Sequence, residues 1–159
     1  MSMVGLKNIY VQNLAHHCLE QFSGVFACDM IPTVKLRRGD SLIVNLSKSN
    51  TPGTHFVAIH RLKDSGKYLY FDSYGLKCWN GDVLNYFKGQ DQRDVIYSNR
   101  QIQSWIGSYF CGYFCIAALI YLELGKSMLQ FHELFDTVDL SSNDEICTKI
   151  IKSHIKSLK

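Results

Sequence analysis

Proline is scarce in this chain: Pro32 and Pro52 are the only two in 159 residues. That excludes a proline-rich spacer or polyproline tract. Long apolar runs are scarce as well. The run Cys115–Leu122 (CIAALIYL) is too short to span a bilayer, which takes ~20 residues. No membrane partner is expected. Charge of one sign is also low, with 17 basic against 14 acidic residues and a net charge of +3. Two small basic clusters stand out, Lys35–Arg38 and the group Lys149, Lys152, Lys156 and Lys159. They read as solvated faces and support nucleic acid only as an accessory partner. No C-x2-C pair is present, although there are six cysteines. Cys111 and Cys115 are four apart, and His16, His17 and Cys18 are adjacent. Neither spacing builds a zinc knuckle, so no metal and no cofactor are expected.

The amino-terminal stretch MSMVGLKNIYVQNLAHH lacks the apolar core of a signal peptide. Most cysteines sit inside apolar segments, where thiols behave as small hydrophobes. Both features point to a reducing intracellular compartment and to no structural disulfides. At 47% hydrophobic and 19% charged, the chain is globular rather than disordered. Its length suits one domain, residues 1–159, with a real core. A monomer is expected.

The patterning predicts an α+β domain with a small, mostly antiparallel or mixed sheet flanked by helices. Leu6–Phe22 reads as a helix and Phe22–Pro32 as a turn-rich connector. Ser41–Leu46 is a buried strand. His55–Leu62 and Lys67–Asp72 are strands around the loop KDSG. Asn80–Phe87 is a helix and Asp94–Tyr97 a short strand. Cys111–Leu124 is a helix closed by Gly125. Met128–Phe135 and Asn143–Leu158 are the last helices. Ser142 and Glu145 form a candidate capping box for the final one.

The stretch QSWIGSYFCGYFC (Gln103–Cys115) carries the most chemistry. It puts Cys111 at the mouth of an apolar helix. Backbone N–H groups and the helix dipole favour a thiolate at such a place. Gly112 allows another backbone or a substrate to approach. Upstream lie His55, in GTHFVAIH, and Asp72, in YLYFDSYG. His55 follows Gly53-Thr54 at a strand mouth and is preferred over His60, which sits deeper in the strand. Asp72 suits two roles, holding an imidazole or closing the turn DSYG. Gln103 is the candidate oxyanion donor, with Gln101 as competitor. Cysteine, histidine, aspartate and glutamine together are the parts of a cysteine-protease site.

Strand parity tests the pairing. If Lys63–Gly66 is the loop, Leu62 opposes Lys67, Val57 opposes Asp72 and His55 opposes Tyr74. His55 and Asp72 are then diagonal neighbours on one face, roughly 7–8 Å apart at the backbone. A loop one residue longer or shorter would separate them.

The order His, Asp, Gln, Cys-Gly resembles the adenovirus-endopeptidase (adenain) type of cysteine protease, a relative of the SUMO- and ubiquitin-like-specific proteases. The matching segments are Pro52–His60, Tyr68–Gly75 and Gln103–Cys115. Phe22–Pro32 is similar to versions in large DNA viruses and Maverick/Polinton elements, so the resemblance spans about residues 20–125. Phe56 stands where the family commonly has tryptophan. Eight positions separate Gln103 from Cys111, slightly more than usual, and a bulge near Ile106-Gly107 would absorb the excess. The resemblance implies an adenain-like fold with the nucleophile at the start of a central helix. His55, Asp72 and Cys111 would be catalytic, Gln103 would serve the oxyanion, and Phe56, Trp105 and Gly112 would bind substrate. The substrate implied is a polypeptide cut after small residues, often glycine, in capsid and core precursors. A protease for ubiquitin or a ubiquitin-like modifier is the alternative, and an inactive binding module a second. A peptide activator is a further implied partner, and a virion a further location.

Overall fold

A computed structural model describes residues 3–33, 35–49, 55–92, 94–105 and 109–155, with residues 3–7 described by backbone alone. Successive side chains of a strand point to opposite faces, and here both faces are apolar. Ile43 of β2 (Ser41–Asn45), Phe56 and Ala58 of β3 (Phe56–Arg61), and Leu69 and Phe71 of β4 (Tyr68–Phe71) line one core. The alternate residues Leu42, Val44, Val57, Ile59, Tyr68 and Tyr70 line another. The first core is filled by α1 (Met3–Cys18), α3 (Cys111–Glu123), α4 (Met128–His132) and α5 (Asn143–His154). The second is filled by Val83, Tyr86 and Phe87 of α2 (Gly81–Gly89). Adding β1 (Phe22–Ala27) and β5 (Ile96–Tyr97), the sheet order is β1-β2-β3-β4-β5. The central pairs are antiparallel, whereas β1 runs parallel to β2 and β5 parallel to β4. The chain is thus α+β, with a mixed five-stranded sheet flanked by helices.

The β3–β4 register places Ala58 opposite Phe71 and Arg61 opposite Tyr68. Leu62 N–H donates to the Lys67 carbonyl at 2.8 Å, which closes the Lys63–Gly66 loop. This is the register expected from the sequence. Continued outward, it sets His55 against Tyr74.

Helix α3 buries residues on every side because the sheet, α1, α4 and α5 all pack against it. It ends in a Schellman motif. Gly125, at φ +79°, donates to Leu122, and Lys126 donates to Tyr121.

Four local expectations are corrected. Phe22–Ala27 is a strand rather than a connector, and only Cys28–Met30 is a tight turn. Its pairing with β2 is irregular between Phe22 and Val25, and Gly24 sits at φ +142°, so its alternation is broken. Helix α1 therefore stops at Cys18. Helix α4 stops at His132, because Leu134 and Phe135 bond three residues back. Ser142 is not a side-chain cap. A 3₁₀ turn over Leu140–Ser142 runs straight into α5, and the Ser142 hydroxyl donates to the Asp139 carbonyl at 2.9 Å. The capping box is at Ser127 and Gln130 instead.

Candidate active site

The turn Asp72–Gly75 leaves the end of β4 and organises the site. Gly75 N–H donates to the Asp72 carbonyl at 2.8 Å, and Tyr74 N–H donates to Asp72 Oδ1 at 2.8 Å. Only glycine fits at position 75. Its φ is +74°, and a Cβ there would lie 2.6 Å from the Arg100 carbonyl carbon. The turn thereby lies flush against the segment 100–103. Ile102 and Gln103 N–H both donate to the Ser73 carbonyl, at 2.9 and 3.1 Å. Asn143, the first residue of α5, donates to the Ile102 carbonyl at 2.8 Å.

Three residues of the turn touch functional candidates: Asp72 and Tyr74 meet His55, and Ser73 meets Gln103. Asp72 is fully buried, and His55 Nε2 donates to its Oδ1 at 2.9 Å. An ionised carboxylate only accepts, so Nε2 carries the proton. Both roles foreseen for Asp72 hold at once, since Oδ1 closes the turn and grips the imidazole. The Ser73 hydroxyl donates to Gln103 Oε1. The Tyr74 ring stacks on His55, with centroids 4.6 Å apart and planes 15° apart. Trp105 stacks on the other face of Tyr74 at 4.1 Å and 9°.

Cys111 is the first residue of α3 and is buried. Phe110 stands at its N-cap and makes no side-chain cap bond. With Nε2 on Asp72, the buried Nδ1 is the His55 nitrogen left for the thiol side. Burial pulls the His55 pKa down, but the bond to Asp72, then the interaction with Cys111, lift it to about 9. The ring is an imidazolium at neutral pH. An imidazolium beside a thiol favours the thiolate.

The other candidates separate cleanly. His60 lies buried within β3, and burial holds it down at about 4. Gln101 spends its amide N–H on the Gln103 carbonyl at 3.0 Å, while the Gln103 side chain is fully buried. Burial raises the thiols of Cys28, Cys78, Cys115 and Cys147, which favours their protonated, less reactive form. No two of the six cysteines are joined by a disulfide. Among the described residues, no group of three His, Cys, Asp or Glu is placed to hold a metal, and no helix is long and apolar enough to cross a membrane.

Of the residues expected to bind substrate, Trp105 is 59% exposed beside Tyr74. Phe56 is 5% exposed and belongs to the core rather than to an open wall. Gly112 is likewise inside. A Cβ there would meet Val11 Cγ2 at 2.9 Å and Phe56 Cδ2 at 3.5 Å, so its close approach is to α1. The Gly53-Thr54 mouth and the bulge at Ile106-Gly107 lie outside the described residues. Of the Lys35–Arg38 cluster, Arg37 pairs with Asp40 at 3.3 Å and Arg38 binds the carbonyls of Lys63 and Asp64. Both guanidinium groups are thus engaged within the fold. Sequence reasoning missed Ser73, Tyr74 and Asn143 as parts of the site. For Tyr74 the signal was present, because the register already set it opposite His55.

No protein-family model matches this sequence, and no curated protein matches it.

Proposed function

We propose that this chain is a cysteine endopeptidase of the adenovirus-endopeptidase type. The observation that carries the reading is the His55–Asp72 bond of 2.9 Å on a ring that also interacts with Cys111. The thiol stands on the first residue of α3, where backbone N–H groups and the helix dipole favour negative charge. The α+β architecture with a mixed sheet is compatible with the adenain-like fold that the resemblance implies.

In this mechanism the Cys111 sulfur attacks the scissile carbonyl carbon, and a C–S bond forms. Its proton resides on His55. Negative charge develops on the carbonyl oxygen, where the Gln103 amide and the Cys111 N–H donate. The C–N bond then breaks, and His55 passes its proton to the leaving amine. Water, deprotonated by the same imidazole, hydrolyses the thioester and restores the thiol. Asp72 keeps the ring oriented and stabilises the imidazolium. By the same resemblance the substrate is a polypeptide cut after glycine or another small residue, such as a capsid or core precursor. Here the aromatic wall is the Tyr74–Trp105 pair, because Phe56 is buried.

The test is labelling with limiting iodoacetamide at pH 6, mapped by mass spectrometry. Cys111 is expected to label first, and His55→Ala to remove that preference. Equal labelling of all six cysteines would sink the reading. A Gly-Gly and Gly-Ala peptide panel, run beside a ubiquitin-like electrophilic probe, then separates an endopeptidase from a modifier protease. Cys111→Ala is expected to abolish turnover while leaving the fold intact.

A further inference from the structure

Ser73 sits between the two residues that hold His55, yet it touches neither the imidazole nor the thiol in any bond described above. Among the described residues, its hydrogen bonds go to one partner segment. The Ser73 carbonyl accepts from Ile102 and Gln103 N–H at 2.9 and 3.1 Å, and its hydroxyl donates to Gln103 Oε1. Both Ser73 and the Gln103 side chain are fully buried.

A glutamine amide has one accepting end and one donating end, and the two are nearly identical in shape. Packing alone cannot choose between them. Here the atom that faces Ser73 is the oxygen, so the hydroxyl donates to it and holds that end of the amide. The other end of the amide is then the N–H2 group. For an oxyanion hole this choice decides function, since a carbonyl oxygen turned toward a developing negative charge repels it.

We propose that Ser73 is a positioning residue that commits the Gln103 amide to donate. This rests on the cysteine-protease reading above. The fold supplies the geometry cheaply. Asp72 orients the base and Ser73 orients the oxyanion donor, from adjacent positions of one four-residue turn. That turn is pinned by Gly75 against Arg100 and Gln101. Base and oxyanion donor therefore share a rigid support.

Two reagents separate the effects. Iodoacetamide alkylates a thiolate with loss of iodide and forms no oxyanion. p-Nitrophenyl acetate acylates it: sulfur attacks the ester carbonyl, an oxyanion forms, the C–O bond breaks, and p-nitrophenolate leaves. Rates at Cys111 are measured for the whole chain, with Cys111→Ala as background and circular dichroism as a check of folding.

Ser73→Ala is expected to slow acylation by about tenfold, within the ~10²-fold that loss of a whole oxyanion donor costs. Alkylation is expected to stay unchanged. Ser73→Thr, which keeps the hydroxyl, is expected to restore acylation. Ser73→Ala combined with Gln103→Ala is expected to acylate no more slowly than Gln103→Ala alone, because Ser73 acts through Gln103. If Ser73→Ala does not fold, Ser73→Cys carries the same comparison, with a weaker donor in the same place.

Unchanged acylation in Ser73→Ala overturns the inference. So does an equal fall in both reactions, or full additivity in the double variant. In those cases Cys111 still labels preferentially and the protease reading stands. Loss of preferential labelling in the wild-type chain overturns both.

Discussion

Tyr74 lies face to face with His55, with ring centroids 4.6 Å apart and planes 15° apart, and its other face is covered by Trp105 at 4.1 Å. The imidazole is thus held in two directions. Asp72 fixes its edge, and Tyr74 fixes its plane. A cation on an aromatic face gains electrostatic energy as well as contact, and this ring is an imidazolium at neutral pH. Removing the stack frees the plane without touching the hydrogen bond. On the proposed cysteine-endopeptidase reading, Tyr74→Ala is therefore expected to lower kcat by about tenfold, since misplacement by about 1 Å costs up to ~10²-fold. Tyr74→Phe keeps the ring and is expected to stay near wild type. NMR of the His55 ring in both variants checks the cause, because only Tyr74→Ala should broaden or shift it.

The His55–Asp72 pair makes stability depend on pH in a defined direction. The folded-state pKa of about 9 lies above the ordinary 6.5. The stabilisation is therefore complete below about pH 6.5 and is lost as pH rises through 9. Asp72→Asn removes the partner that raises this pKa most. It is expected to cost stability at pH 7 and much less at pH 10. Urea unfolding of both chains at the two pH values is the measurement. An equal loss at both would show that the ion pair is not the source.

Two other histidines push the opposite way. Burial, aided by Lys63 and Arg100 respectively, holds His60 and His132 at about 4. Both are neutral in the fold, and both take up a proton near pH 6.5 once unfolded. Their contribution to stability is thus whole above pH 6.5 and is lost as pH falls toward 4, at up to ~1.4 kcal/mol per pH unit for each. The fall in unfolding free energy with pH should become shallower by about one proton in His132→Gln. A slope identical to wild type between pH 6.5 and 4 would refute the burial effect for that residue.

Gly112 tests packing against helix propensity. Alanine normally stabilises a helix over glycine by about 1 kcal/mol. Here the added methyl would sit 2.9 Å from Val11 Cγ2, and Phe56 closes the space behind. Gly112→Ala is expected to destabilise by about 1–3 kcal/mol, the usual cost of overpacking. Val11→Ala in the same chain should recover part of that loss. Thermal unfolding of the single and double variants gives the answer.

Residue order alone determined the parts of this protein that depend on neighbours in the chain. With Lys63–Gly66 taken as the loop between Phe56–Arg61 and Tyr68–Phe71, counting outward yields the register that the structure has. That register brings His55 to Tyr74 and Asp72 because the Lys63–Gly66 loop sets which residues oppose one another; with both faces apolar, side-chain periodicity alone would accept a one-residue slip. The apolar run after Cys111 and the glycine at 125 likewise defined α3 and its end. Where local periodicity failed, the reading failed with it. Gly24 and the irregular pairing after Phe22 hid β1, whose partner β2 is far along the chain.

The tertiary structure decided everything that joins distant segments. Cys111 and His55 are 56 positions apart, and only the packing of α3 on β3 brings the thiol to the ring. The same packing turned Phe56 and Gly112 inward, since the space beside Val11 admits an aromatic edge and no Cβ. The Gln103 side chain likewise meets its hydrogen-bond partner Ser73 across 30 positions, and Asn143 reaches the neighbouring Ile102 carbonyl across 41. Side-chain periodicity is a property of consecutive residues and can be read directly. Burial and hydrogen-bond partners between remote segments exist only once the chain has closed on itself.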